Sequence, residues 1–308
     1  MDQKTSESTP PSAEIGLVEI SEECKEEEGS IQSSMETQQK EDVVCRECAT
    51  RLFHIESNTQ IDAHNRKKFI ADGDMYDAIA KLCQENAHEV MQEKYGLVWM
   101  TLCPPEEDHA HPLKKNKHEP IRALVNPEQI GSDDDPKMKH FRKRPTLLIM
   151  TGKGKVRAGI FSRQYLLVSG MESSTALPLI HEARQRQLNL VIIDPNCHGD
   201  AMGMVTFQKS MEKAFHHWEN DEQQVNSCRD LLILSHSASG AHLVRYLLEK
   251  SKYYVPHIRA IAFTDATHNV QWARQRGNQP LVELLESPAC VYFRCANPDK
   301  DSNWAKRK

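Results

Sequence analysis

The stretch that most restricts what this chain can become is Leu231-Leu232-Ile233-Leu234-Ser235-His236-Ser237-Ala238-Ser239-Gly240, with the segment that follows it. Four apolar residues in succession, without alternation, predict a strand buried on both faces. From Ala241 the period changes, and Val244, Leu247 and Leu248 fall on one face of a helix. Between the two periods, Ser235-x-Ser237-x-Ser239 sets a serine between small residues two positions away on either side. A strand that becomes a helix this abruptly accepts only small flanking side chains, and it lifts the central hydroxyl to the sheet edge beside the positive end of the helix. The pattern fits a nucleophile elbow. It fits equally a strand-to-helix turn capped by a hydroxyl.

Around this centre the chain alternates. Strands are predicted at Leu97–Leu102, Ile121–Val125, Thr146–Met150, Leu190–Ile193, Ile258–Phe263 and Ala289–Phe293. Helices are predicted over 72–95, 175–186, 211–218 and near 281–285. In the first, Met75, Ile79, Leu82, Cys83, Val90 and Met91 form the apolar stripe and Gly96 ends the run. Strands alternating with helices predict an α/β fold, a doubly wound and mostly parallel sheet that holds ligands at its carboxyl edge.

Composition separates a tail from this core. Residues 1–44 carry twelve acidic and three basic side chains, a balance of −9, leaving +4 for the remainder against an overall −5. Residues 1–43, rich in Ser, Glu, Gln and Thr, are too poor in apolar surface to offset chain entropy, so a disordered acidic tail is expected before a domain spanning 44–308 with its core at 97–300. Nine cysteines, an odd number, and a polar amino terminus point to a reducing compartment, and no apolar run is long enough to cross a bilayer. Cys45-x-x-Cys48 with His54 and His64 lacks the spacing of a zinc finger, and His109, His111 and His118 sit in a polar stretch. No metal and no cofactor are expected. The basic run Lys137, Lys139, Arg142, Lys143, Arg144 suits a nuclear signal, a phosphate-contacting or partner-binding patch, or a solvated surface.

Chemistry, if present, gathers at the carboxyl edge. Thr151-Gly152-Lys153-Gly154-Lys155 is neither a Walker loop nor a dinucleotide fingerprint, but its position suits an oxyanion loop, with donors from Gly152, Gly154 and Ala238. Asp265 and His268 end the strand after the elbow, so the order Ser237, Asp265, His268 follows that of serine hydrolases. Against activity, His268 follows the acid by three residues, no histidine lies beyond it, and the last strand of such a sheet is missing from the pattern.

Lys155-Val-Arg-Ala-Gly159, Ile193-Asp-Pro-Asn196, Ser235-His-Ser237 and Thr264-Asp265-x-x-His268-Asn-Val270 resemble the argonaute-binding-protein-two (Arb-two) domain, in particular its animal branch of cotranscriptional regulators, over roughly residues 50–300. The resemblance implies an α/β-hydrolase-like fold and a nuclear role, with some cytoplasmic presence, in small-RNA silencing, heterochromatin or splicing. It also implies argonaute-class, chromatin or spliceosome partners, with RNA reached indirectly and no membrane. By position, Ser237 corresponds to the nucleophile-like serine, Asp265 to the acid-like carboxylate and His268 to the family histidine. The chain departs from the family where His-Gly-x-Gly is replaced by Thr151-Gly152-Lys153-Gly154, and in a missing carboxy-terminal segment with a further histidine. The leading expectation is a non-catalytic interaction domain. The alternative is an esterase or thioesterase using Ser237, and direct RNA binding through the basic run and the Lys153/Lys155 loop ranks last.

Overall fold

A computed structural model describes residues 52–54, 57, 59–102, 121–130, 144–197, 209–215 and 230–294. The expected tail, the Cys45/Cys48 pair, His109, His111, His118 and the basic residues Lys137, Lys139, Arg142 and Lys143 lie outside them. The chain divides into two compact units, one formed by residues through Cys83 with Gln164–Ser174, the other by Gln84–Arg163 and Thr175 onward.

In the first unit a two-stranded ribbon pairs β1 (Phe53–His54) antiparallel with β2 (Thr59–Gln60). The Asp62 carboxylate accepts from the backbone N–H groups of His64 and Asn65 at 2.8 and 3.0 Å, turning the chain into the short helix α1 (Arg66–Phe69). Arg66 pairs with Asp72 at 2.9 Å and lies 4.9 Å over the Tyr76 ring. Helix α2 (Asp74–Glu93) begins in this unit and ends in the second. Its buried face coincides with the predicted apolar stripe only in part, at Cys83 and Met91, with Met75, Ile79 and Val90 partly buried. Ala80, Cys83, Gln84, Ala87, His88 and Met91 are buried, whereas Leu82 is 45% exposed. The face is turned because Gln84 and His88 spend their polar atoms on a neighbouring backbone, described below, so they bury without an unpaired group.

The second unit holds a seven-stranded sheet. Its strands in chain order are β3 (Val98–Leu102), β4 (Ile121–Val125), β5 (Thr146–Met150), β6 (Asn189–Ile193), β7 (Leu231–His236), β8 (Ile258–Thr264) and β9 (Cys290–Phe293), with spatial order β3-β4-β6-β5-β7-β8-β9. The sheet is mixed but mostly parallel: β4 runs antiparallel to both neighbours, β3 and β6, and the five strands β6, β5, β7, β8 and β9 pair in parallel. Helices α3 (Arg163–Ser169, all but its first residue) and α4 (Met171–Ser174) belong to the first unit; α5 (Leu177–Gln185), α6 (209–215), α7 (Ala238–Tyr254), α8 (Gln271–Gln275) and α9 (Gln279–Glu286), with short 3-10 turns at Pro127–Ile130 and Val255–His257, belong to the second. A glycine-bearing loop after the third sheet strand and a strand–turn–helix elbow after the fifth make this an α/β-hydrolase-type arrangement.

Burial along the strands refines the expectation for the centre. Every residue of β6 is buried. In β7 Leu231, Ile233 and Ser235 are buried, while Leu232, Leu234 and His236 are only partly so. The continuous apolar run therefore hides one fully dry face and one partly accessible face. The buried face joins Leu148, Met150, Val191 and Ile193 to Leu243, Val244 and Leu247 of α7 and to Phe263 of β8.

Candidate functional site

Ser237 stands at the turn between β7 and α7 with φ 56° and ψ −124°, a conformation that a side-chain-bearing residue adopts only under constraint. The constraint is a set of backbone hydrogen bonds. Ser237 N–H donates to Thr264 C=O at 2.9 Å, and Ser237 C=O accepts from Gly240 N–H at 3.2 Å and Thr267 N–H at 3.1 Å. The flanking serines replace the glycines usual in such a turn without leaving an orphaned group. Ser235 and Ser239 are fully buried with their hydroxyls 2.7 Å apart, and Ser239 Oγ also lies 2.8 Å from His236 C=O. The residue that must be glycine is Gly240, where a Cβ would meet Ala266 Cβ at 2.5 Å and Phe263 at 3.2 Å. That packing joins the first turn of α7 to the end of β8.

The glycine loop closes over the elbow. A Cβ on Gly152 would stand 2.9 Å from Ser237 Cβ and 3.3 Å from its Oγ, so the serine is seated against bare backbone. Asn196, just past β6, organises the loop: its Nδ2 donates to Gly152 C=O at 2.8 Å and Val156 C=O at 2.9 Å, and its Oδ1 accepts from Gly154 N–H at 3.2 Å. In this arrangement the Gly154 N–H, one of the expected oxyanion donors, is already bound. Ala238, another, is the first residue of α7.

Arg157 anchors the far end of the loop. Its Nε and Nη2 both reach Asp194 Oδ2, at 2.9 and 2.6 Å, and Asp194 is fully buried. From α2, Gln84 Oε1 accepts Arg157 N–H at 3.0 Å and His88 Nε2 lies 2.8 Å from Ala158 C=O. Burial holds the His88 imidazole below its ordinary pKa, against the opposing pull of that hydrogen bond.

At the end of β8 the polar groups do not converge in the same way. Asp265 is exposed with φ 46°, and its N–H donates to Phe293 C=O at 2.8 Å. His268 lies flat on Phe263, with ring centroids 3.7 Å apart and planes at 16°, and meets Tyr292 edge-on at 5.3 Å. Its Nδ1 is buried without a hydrogen bond, and burial lowers its pKa. Among the described residues no hydrogen bond joins His268 to Ser237 or to Asp265. The imidazole next to the serine is that of His236, whose Nδ1 lies 3.0 Å from Thr264 Oγ1 and whose ring is 5.3 Å from that of Phe161. Burial lowers the His236 pKa, and the Asp265 charge partly opposes the shift. Arg144, the described member of the basic run, accepts Asn189 Nδ2 on its backbone C=O at 3.3 Å.

Sequence reading brought Ser237 and Gly152 to the same place and overlooked Asn196, Arg157, Asp194, Gln84, His88 and His236. Signals existed for four of these, because Arg157, Asp194, Asn196 and His236 fall in the very blocks that carry the family resemblance. Among the described residues no group of three or more His, Cys, Asp or Glu side chains could hold a metal ion, and no helix is long and apolar enough to cross a membrane.

No family model matches the chain. A chicken (Gallus gallus) protein described as "Cotranscriptional regulator ARB2A homolog" is similar to it, 17% identical over 276 residues, covering 72% of this chain and 61% of that protein. The chain thus spans about three fifths of the length of this relative. Among solved structures, AbyA5 is similar at 13% identity and TM-score 0.37, covering 81% of this chain and 55% of that one. Esterase LipW from Mycobacterium marinum is similar at 10% identity and TM-score 0.37, covering 75% of this chain and 67% of its own. MGS-M1, an alpha/beta hydrolase enzyme from a deep-sea metagenome library, is similar at 10% identity and TM-score 0.35, covering 65% and 81%.

Proposed function

We propose that this chain is a hydrolase-like binding domain of a cotranscriptional regulator, acting in the nucleus, with some cytoplasmic presence, in small-RNA silencing, heterochromatin or splicing. It binds argonaute-class, chromatin or spliceosome proteins, reaches RNA through them and carries out no reaction of its own. The observation that carries the non-catalytic part is the His268 ring, stacked on Phe263 and edge-on to Tyr292. A general base must come within hydrogen-bond reach of the hydroxyl it deprotonates, and a face-stacked ring is committed to packing instead. The regulatory part is supported by the similarity to the chicken cotranscriptional regulator and by the Thr264–Val270 block. Affinity purification of the tagged chain from nuclear extract tests it: recovery of argonaute or spliceosome proteins is the expected result, and their absence from repeated purifications sinks the reading.

A second reading keeps the esterase alternative, because the strained Ser237 backbone and the bare Gly152 beside its Oγ are what an acyl-transfer site needs. A fluorophosphonate probe separates the two. Labelling of the wild type that disappears in Ser237→Ala favours the hydrolase, whereas no labelling of either favours the binding domain.

A further inference from the structure

One face of α7 (Ala238–Tyr254) carries polar and charged side chains beside its core-facing one. Leu243, Val244 and Leu247 point to the core, and His242, Arg245, Tyr246 and Glu249, spaced i, i+3, i+4 and i+7, form another stripe, in which Tyr246 also packs against Phe215 and Tyr254 of the core. Together with Met211 of α6, with Trp272 and Gln275 of α8 and with Arg276, this stripe lines a cavity of about 630 Å³. That volume lies within the range of small-molecule sites and well above what a bare inorganic ion fills.

The lining has a definite chemistry. Arg245 and Arg276 give the lining two guanidinium groups and Glu249 its single carboxylate, and no salt bridge joins any of the three to another described residue. The Arg245 guanidinium sits 4.9 Å over the Trp272 ring, which fixes its position before any ligand arrives. His242, 7% exposed in the wall, reports the local field: besides burial, the charges of Arg245 and Lys153 push its pKa down. Trp272, Tyr246, Met211 and Leu248 supply the apolar remainder of the wall.

We propose that this cavity binds a phosphomonoester carried on a planar ring, a ligand of nucleoside-monophosphate size. The two guanidinium groups receive the phosphate, since their planar forks match its oxygens, and the aromatic wall receives the ring. Two guanidinium groups against one carboxylate in the lining suit a phosphate better than a monocarboxylate. The site does not depend on the reading of Ser237, because no residue of the elbow turn lines it.

Calorimetric titration of the full chain with adenosine 5′-monophosphate, inorganic phosphate and uncharged adenosine tests the assignment. The monophosphate binds saturably with a dissociation constant below about 1 mM, phosphate binds more weakly, and adenosine more weakly still. Arg245→Gln and Arg276→Gln each weaken the monophosphate by about tenfold or more, as expected for loss of a charge-assisted contact, while circular dichroism and the melting midpoint show both variants folded. The proposal is overturned by adenosine binding as tightly as its monophosphate, by no saturable binding below that concentration, or by a folded Arg245→Gln/Arg276→Gln double variant with unchanged affinity. A hexanucleotide carrying a 5′-phosphate identifies the source: affinity equal to the monophosphate assigns a free nucleotide, and a gain of about tenfold or more assigns a phosphorylated strand end.

Discussion

The glycine loop with its elbow and the turn after β8 share the carboxyl edge of one sheet and are built on opposite plans. At the elbow the backbone is held from several sides: Ser237 by three backbone hydrogen bonds, the loop carbonyls by Asn196, and the loop end by Arg157 and Asp194, with Thr151 Oγ1 and Asp194 Oδ1 left buried without a hydrogen bond. At the turn after β8, Asp265 faces solvent and the His268 ring is spent on stacking, its Nδ1 enclosed and unpaired. The contrast teaches that the backbone frame of a nucleophile site can be kept by local hydrogen bonding and close packing alone. The proton-transfer chemistry needs side chains from separate loops to meet, and nothing in the frame forces them to.

Breaking the frame should have the largest effects. Phe263, fully buried, packs against both Gly240 and His268. Phe263→Ala is expected to cost about 3–5 kcal/mol, read from denaturant unfolding, and to release the His268 ring. If His268 chemical shifts stay at their stacked values, the two regions are not joined through this side chain. Gly240→Ala comes next. Alanine would gain about 1 kcal/mol in helix propensity, but a Cβ 2.5 Å from Ala266 Cβ forces the backbone apart. A net loss of about 1–3 kcal/mol is expected, and a melting midpoint equal to wild type would show that the elbow is looser than described.

Asn196→Ala leaves two carbonyls and the Gly154 N–H without their partner. A cost of about 2 kcal/mol, with faster amide exchange confined to the loop after β5, would confirm that this one side chain holds the loop. Uniform exchange across the chain would deny it. Ser237→Gly has the opposite sign. Removing the Cβ relieves the positive-φ strain, so stability should rise by up to about 1 kcal/mol; a loss would mean that the hydroxyl itself is structural.

The smallest effect separates the two plans by pH. Burial lowers the pKa values of His236 and His268 from 6.5. A histidine with a depressed folded pKa binds fewer protons when native than when unfolded, so its contribution is present above about 6.5 and is lost as pH falls below it toward the folded value. Stability should therefore decline from pH 7 to pH 5. His268→Phe, which preserves the stack, should flatten part of that decline, and an unchanged slope would assign the sensitivity to His236, His88 and His242 instead.

Sequence by itself determined the elements that repeat a period. Strands β4 and β5 fall where alternation and apolar runs put them, and the elbow follows from small residues between a strand period and a helix period. The order of Ser237, Asp265 and His268 was legible too, being only an order along the chain. Which face of α2 turns inward was decided by tertiary structure, because Gln84 and His88 become buriable only once Arg157 and Ala158 offer backbone partners. The reversed direction of β4 and the role of Asn196 as the clasp of the glycine loop belong to the same class. Periodicity records how a residue relates to its neighbours in the chain, whereas hydrogen-bond satisfaction and ring stacking depend on atoms that only folding brings within reach.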